Sequence, residues 1–249
     1  MHKRYKTALI TGAASGIGYS ILKKLSNYKF KIYALDKNKI KLKKVCNETG
    51  AYPINLDIAN TDALYSKLSK LNIDILVSNA GIANGIEGLL KSSKNDILKS
   101  TKVNYESILH IIKILVPKMV KKRNGHIFLI GSIAGLYPTD SAIYSSQKTA
   151  IHKIAQSLRI ELSGSRVKLT EISPGRTKTS FGNNVFSTSK MKKKFMSGFQ
   201  VLDPDDISNA LWFALNTQWK TNVSLIEISP TEQSPGGIPI FPVKDPILE

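Results

Sequence analysis

The stretch Ala8-Leu9-Ile10-Thr11-Gly12-Ala13-Ala14-Ser15-Gly16-Ile17-Gly18 decides how this chain is read. A short apolar run ends at Thr11, three glycines follow at the spacing G-x-x-x-G-x-G, and a helical period begins behind them. Glycine at a strand-to-helix junction permits a left-handed turn and lets a phosphate approach the backbone. The first helical turn then offers free N–H groups and the positive end of a dipole. Gly12, Ser15, Gly16, Ile17 and Gly18 are therefore candidate pyrophosphate contacts. No Gly-Lys pair followed by Ser or Thr is present, so the loop is not a P-loop.

Outward from this loop, short runs rich in Ile, Val, Leu and Tyr alternate with longer segments of helical period, the pattern of repeated βαβ units. Strands are expected near 5–11, 30–36, 51–55, 73–78, 125–131, 166–172 and 223–227. Helices are expected near 16–27, 38–48, 60–70, 94–122, 142–163 and 203–216. The fold class is α/β, a doubly wound parallel sheet of about seven strands between two helical layers, in one domain spanning 1–249. One connection, from about 174 to 202, is long enough to be a flexible lid over a site, near 180–202. From about 228 the chain is rich in Pro and Gly and should be irregular.

Asp36 stands at the end of the second expected strand, eighteen residues beyond Gly18. A carboxylate there can accept hydrogen bonds from an adenosine ribose and would repel a 2′-phosphate, which favours NAD over NADP. Lys37 and Lys39, directly after it, are the groups that could offset that repulsion. Its plain structural alternative is a helix N-cap.

The charge balance, 36 Lys+Arg against 18 Asp+Glu for a net +18, would suit a polyanion partner. The lysines are spread along the whole chain, however, and the longest cluster, Lys190 to Lys194, has no interleaved aromatic residues, so no nucleic-acid partner is expected. No stretch approaches the roughly 20 apolar residues of a membrane helix, and no membrane partner is expected. Cys46 is the single cysteine, which rules out an internal disulfide. His2, His110, His126 and His152 lack ligand spacing, so no catalytic metal is expected. Cytoplasmic residence is the expectation that follows.

Tyr144 and Lys148 lie four apart in the helical segment 142–163, on one helix face. An ammonium beside a phenol favours the phenolate and should lower the tyrosine pKa toward a working range for acid/base chemistry. The spacing alone is uninformative, since Tyr19/Lys23 and Tyr33/Lys37 share it. Context separates them: Tyr144 follows the fifth expected strand, whose C-terminal end carries Gly131-Ser132. Ligands of open parallel sheets bind at such strand ends, and a hydroxyl there can donate to a substrate carbonyl oxygen. Gly131-Ser132-Ile133-Ala134-Gly135 is not a hydrolase nucleophile elbow, because no residue separates Gly131 from Ser132.

With these residues in order, the chain resembles the short-chain dehydrogenase/reductase family over nearly its whole length. The matches run from Thr11–Gly18 through Asp36, Asp57, Asn79-Ala80-Gly81, Asn104, Ser132, Tyr144 and Lys148 to Pro174-Gly175 and Thr179. The resemblance implies a Rossmann-type fold and an oxidoreductase that moves hydride between a nicotinamide cofactor and a hydroxyl or carbonyl carbon of a small alcohol or ketone. It implies that Tyr144 transfers the proton and Ser132 holds the carbonyl oxygen. Lys148 would bind the nicotinamide ribose and lower the Tyr144 pKa, while Asn104 would hold a water linking Lys148 to solvent. Asp57 would contact adenine, Asn79-Ala80-Gly81 the adenosine and phosphate side, and Pro174-Gly175 and Thr179 the nicotinamide end. It also implies a homodimer or homotetramer joined through the two long helices.

Two positions depart from the family pattern. Ser78 replaces the first Asn of Asn-Asn-Ala-Gly, and Arg176-Thr177 replaces apolar residues after Pro174-Gly175. Arg176 is a candidate contact for an anionic substrate. The rival readings are a catalytically silent cofactor-binding protein of the same fold, against which the intact Ser132, Tyr144 and Lys148 stand, and a basic nucleic-acid-binding protein.

Overall fold

The computed structural model describes residues 4–86, 88–181 and 197–234. Most of the expected lid, the Lys190 to Lys194 cluster and the tail beyond 234 lie outside them. Seven strands form one sheet: β1 (Thr7–Thr11), β2 (Lys31–Asp36), β3 (Tyr52–Asn55), β4 (Ile75–Ser78), β5 (Gly125–Ile130), β6 (Val167–Pro174) and β7 (Leu225–Ile228). Their order is β3-β2-β1-β4-β5-β6-β7, with every neighbouring pair parallel. The order reverses at β1, which neighbours both β2 and β4. Such a switch point opens a crevice at the C-terminal strand ends.

The helices are α1 (Gly16–Ser26), α2 (Lys39–Thr49), α3 (Thr61–Leu68), α4 (Lys94–Thr101), α5 (Ser107–Lys121), α6 (Ala142–Glu161) and α7 (Pro204–Leu215). Successive strand residues point to opposite sheet faces, so each strand feeds two cores. Ala8 and Ile10 of β1 pack with Ile21, Leu22 and Leu25 of α1 and Leu211 of α7. Leu9 between them packs on the other side with Leu64 and Leu68 of α3, Ile111 and Leu115 of α5, and Ile151 and Ala155 of α6. Each such fully buried Leu or Ile contributes roughly 1.5–3 kcal/mol, so both helical layers are held by the sheet.

Helix starts follow their caps. Asn60 accepts from Ala63 N at the head of α3, and Ser93 with Asp96 forms a reciprocal capping box on α4. Asp203 and Asp206 do the same for α7, with Pro204 in its first turn. The cap of α2 is Asn38, not Asp36; its side chain accepts from Lys41 N.

The segment 94–122, expected as one helix, is three. A π-turn at Lys102–Glu106 separates α4 from α5. One residue of slip in the i→i+4 ladder is costly unless side chains fix it, and such turns cluster at functional positions. Here the fixing side chain is Asn104, in the middle of the turn.

Candidate active site

A cavity of about 620 Å³ runs along the C-terminal strand ends across the switch point. Every site residue expected from the sequence lines it except Gly18 and Asn104, which stand directly behind its wall.

One end is built from main chain. Gly12 has φ of +65°, and a Cβ there would lie 2.9 Å from Ala80 Cα. A Cβ on Gly18 would collide with the Gly12 carbonyl oxygen. The loop thus folds tightly over the start of α1, leaving the first N–H groups of that helix facing the cavity. Asn79 pins it, its Nδ2 donating to Thr11 O at 3.0 Å and to Gly12 O at 3.3 Å, while Thr11 Oγ1 accepts from Asn79 N and Ala80 N, both at 3.0 Å. The Asp36 carboxylate closes the loop from the β2 side, accepting from Ala14 N at 3.1 Å and Asn38 N at 2.8 Å. Asp57 accepts from Ala59 N at 3.0 Å. An open glycine cradle, a helix N-terminus and a fixed carboxylate fit the pyrophosphate and ribose of a dinucleotide.

The other end is built from side chains. Ser132 has extended backbone, and its Oγ accepts from Ala134 N at 3.1 Å. Tyr144, in the first turn of α6, interacts through its hydroxyl with Ser132, and its ring lies 5.7 Å from that of Phe181, tilted by 57°. Lys148, one turn further on and 6% exposed, donates from Nζ to Ile130 O at 2.9 Å, with Nζ 5.8 Å from the centre of the Tyr144 ring.

Titration here departs from the sequence expectation. Burial pushes the Tyr144 phenol up to about 12, and the Ser132 hydrogen bond only partly opposes it. Burial also pulls Lys148 down to about 8. The predicted lowering of Tyr144 by Lys148 is therefore overridden in the free protein, because desolvation penalises both charged forms and the lysine is turned toward Ile130 O.

Asn104 is fully engaged: Oδ1 accepts from Ile82 N at 2.8 Å, and Nδ2 donates to Ile82 O at 2.8 Å and Gln147 Oε1 at 2.9 Å. Gln147 in turn donates to Ser100 Oγ at 3.0 Å. The π-turn thereby ties α4 to α6 behind Tyr144 and Lys148. Gln147 was not singled out from the sequence, although it lies inside the Tyr144–Lys148 segment and a buried amide on that face must find partners.

After β6, Arg176 and Lys178 are locked to Leu202. Leu202 N donates to Arg176 O at 2.9 Å, and Lys178 N donates to Leu202 O at 2.7 Å. Arg176 lines the cavity, with its guanidinium 5.3 Å from the Phe199 ring centre. Burial lowers its pKa, and Asp140 counters this. Gln233, buried in the stretch expected to be irregular, accepts from Arg176 N at 2.8 Å and also lines the cavity.

A family model described as "short chain dehydrogenase" matches residues 6–190. A short-chain type dehydrogenase/reductase of Sinorhizobium fredii is 31% identical over 235 residues, covering 94% of this chain and 95% of that protein. The NADP-dependent 3-hydroxy acid dehydrogenase of Escherichia coli is 32% identical over 240 residues, covering 92% of this chain and 97% of the relative. The closed form of serine dehydrogenase complexed with NADP+ superposes with a TM-score of 0.88 at 31% identity, over 94% of this chain and 99% of that one.

Proposed function

Since this chain belongs to the short-chain dehydrogenase family, an oxidoreductase that moves hydride between a nicotinamide cofactor and a hydroxyl or carbonyl carbon of a small molecule, we propose that it prefers NAD and acts on a small hydroxy acid or its keto counterpart. The observation that carries this reading is one cavity lined by Ser132, Tyr144 and Lys148 and also by the Arg176 cation. Two of the relatives are named for 3-hydroxy acids and for serine, compounds with a carboxylate on the carbon next to the one that bears the hydroxyl.

The placement supports the following roles. The bound nicotinamide supplies the hydride chemistry. Tyr144 transfers the proton at the substrate oxygen, and its high pKa in the free protein means that it begins as a donor. Ser132 holds that same oxygen as negative charge develops on it. Lys148 binds the ribose hydroxyls, and Asn104 holds the π-turn and Gln147 in place behind it. Gly12, Ser15, Gly16, Ile17 and Gly18 form the pyrophosphate cradle, with Asn79, Ala80 and Gly81 opposite. Pro174, Gly175 and Thr179 border the nicotinamide, and Asp57 the adenine. Arg176 forks onto the substrate carboxylate.

The NAD preference rests on Asp36, because a fixed anion at the ribose end disfavours a 2′-phosphate. Two of the relatives carry NADP in their names, so the NAD reading of the present chain rests on Asp36 alone. The chain also belongs, in this reading, to a single-domain homodimer or homotetramer joined through α5 and α6, whose Leu109, Val120 and Ile160 stay exposed. Among the described residues no helix is long and apolar enough to cross a membrane, and the reading includes cytoplasmic residence and a lid over the site near 180–202.

The test is a panel of small 3-hydroxy acids and size-matched neutral alcohols, each assayed with NAD and NADP. The acids should give the higher kcat/KM, with NAD as the better cofactor. Neutral alcohols as the best substrates would refute the anionic-substrate reading.

A further inference from the structure

Glu171 lies in the middle of β6 between Leu129 of β5 and Leu225 of β7, and its exposure is 0%. A carboxylate buried this far is costly unless it is bonded and paired. The β6 pleat sends it toward α6, the side on which Leu169 packs with Ile151 and Ala155. Lys168, three residues earlier in β6, points to the opposite face, where Nζ donates to Thr217 and Gln218.

Two donors hold the carboxylate. Ser173 Oγ donates to Oε1 at 2.9 Å, and His152 Nδ1 lies 2.7 Å from Oε2. His152 is one turn beyond Lys148 on α6, and one turn further Gln156 Nε2 lies 3.0 Å from His152 Nε2. With that amide donating to Nε2, the imidazole proton sits on Nδ1 and is given to Glu171. The carboxylate also presses on the segment that receives Lys148: a Cβ at Gly131 would lie 2.6 Å from Glu171 Oε1. Gly131 separates Ile130, whose carbonyl takes the Lys148 Nζ, from Ser132. Glycine at 131 is thus the space that Glu171 occupies.

We propose that Glu171, oriented by His152 and Ser173, is a positioning residue whose buried negative charge keeps Lys148 in its ammonium form over the working pH range. The inference rests on the reading of Lys148 as the ribose-binding, tyrosine-assisting group. Burial draws the Lys148 pKa down, and the Glu171 charge opposes this. Of the other titratable or charged groups around Lys148, Asp140 acts on Arg176 across the cavity, and Lys94 and Lys99 of α4 and Tyr105 of the π-turn lie on neighbouring elements. On α6, Tyr144 holds its proton. On α4, Asp96 is bonded to Ser93 and Asn84, and at the π-turn Lys102 pairs with Glu106 at the surface. His126 of β5 stacks on Phe128, on the α1 and α7 side of the sheet.

The experiment follows Lys148 Nζ by nitrogen-15 NMR across pH in the cofactor-free protein, together with the pH dependence of NAD affinity and of kcat. In wild type the midpoint should lie near 8. In Glu171→Gln it should fall by about one pH unit, a tenfold loss of proton affinity, and the alkaline limbs of NAD affinity and kcat should move down with it. Glu171→Asp, which keeps the charge, should restore most of the shift. If Glu171→Gln does not fold, His152→Leu decides instead, and should move the midpoint in the same direction by less. A Lys148 midpoint unchanged in Glu171→Gln, or in His152→Leu where that is the folded variant, overturns the inference. A Lys148→Met enzyme with full turnover would instead sink the reading on which it rests.

Discussion

The two ends of the cavity are built on opposite principles. At the glycine loop, function comes from main-chain shape: Asn79, Thr11 and Asp36 spend their hydrogen bonds on the loop itself, and the binding groups are backbone N–H donors that every helix start possesses. At the nicotinamide end, function comes from ionisable side chains taken out of water, with Lys148 held near 8 and Tyr144 near 12. The first kind of site places its demand on geometry and is broken by added volume. The second places it on charge, and it stores unfavourable burial that the rest of the fold must offset.

The largest effects should therefore come from one atom at either end. Tyr144→Phe keeps the ring against Phe181 and removes the proton, so kcat should fall by about 10²–10⁴ while cofactor affinity stays within a factor of two or three. Gly18→Ala should do the reverse. Its methyl group meets the Gly12 carbonyl and the Asn79 amide, so cofactor affinity should fall at least tenfold, with a cost of about 1–3 kcal/mol in stability. Steady-state kinetics and NADH fluorescence titration on the two variants read both effects. If Tyr144→Phe kept more than a tenth of wild-type turnover, the phenol would not be the proton donor.

Stability should sharpen the contrast. Lys148 titrates below its unfolded value of 10.5, so the penalty for its buried charge is complete below about pH 8 and disappears as pH rises toward 10.5. Lys148→Met removes that penalty, up to about 3 kcal/mol, but orphans the Ile130 carbonyl at about 1 kcal/mol. The cofactor-free variant should be more stable than wild type by about 1–2 kcal/mol at pH 7, and no more stable by pH 10, while turnover collapses. Thermal unfolding across pH decides it, and a variant less stable than wild type at pH 7 would contradict the burial argument. No comparable gain is expected from any single change in the glycine loop.

How legible each end was in the sequence follows from the same division. The loop, Asp36 and all seven strands could be placed within about two residues, because strand alternation and glycine spacing are local signals. The interruption of the segment 94–122 was not legible, since the π-turn is fixed by Asn104 reaching Ile82, a contact across the fold. Gln233 was hidden for a similar reason: a Pro- and Gly-rich stretch carries no sign that one amide turns back to Arg176 N. The Tyr144–Lys148 spacing pointed to a lowered phenol pKa, but spacing does not report burial, and burial decides the direction. Glu171 was not singled out from the sequence, because only the fold brings His152 of α6 and Ser173 onto its carboxylate.

Arg176 lies on the charged side of the comparison, as a cation in a partly desolvated wall. Arg176→Ala should raise KM for a carboxylate-bearing substrate about ten- to hundredfold, the loss of a charge-assisted pair of roughly 1.5–3 kcal/mol, with cofactor affinity unchanged. Neutral analogues should be poor in both proteins. A variant altered only in cofactor affinity would place the guanidinium on the pyrophosphate and end the anionic-substrate reading.

The smallest effect is expected at Asp36, where charge enters the end otherwise built from main chain. Asp36→Asn removes the negative charge and keeps only one of the two oxygens that accept from Ala14 N and Asn38 N, so one loop contact is lost together with the charge. NAD affinity should fall by about 1 kcal/mol, a factor of five to ten, because an amide oxygen is a weaker acceptor for ribose hydroxyls than a carboxylate. NADP affinity should rise by a similar factor, because Lys37 and Lys41, which share that wall, would then face the 2′-phosphate unopposed. Titration of wild type and variant with both reduced cofactors, at fixed ionic strength, measures the two changes together. If wild type already binds NADPH as tightly as NADH, the two lysines outweigh the carboxylate. The adenosine end would then be an electrostatic site like the other, and the division between the two ends would hold only for the pyrophosphate.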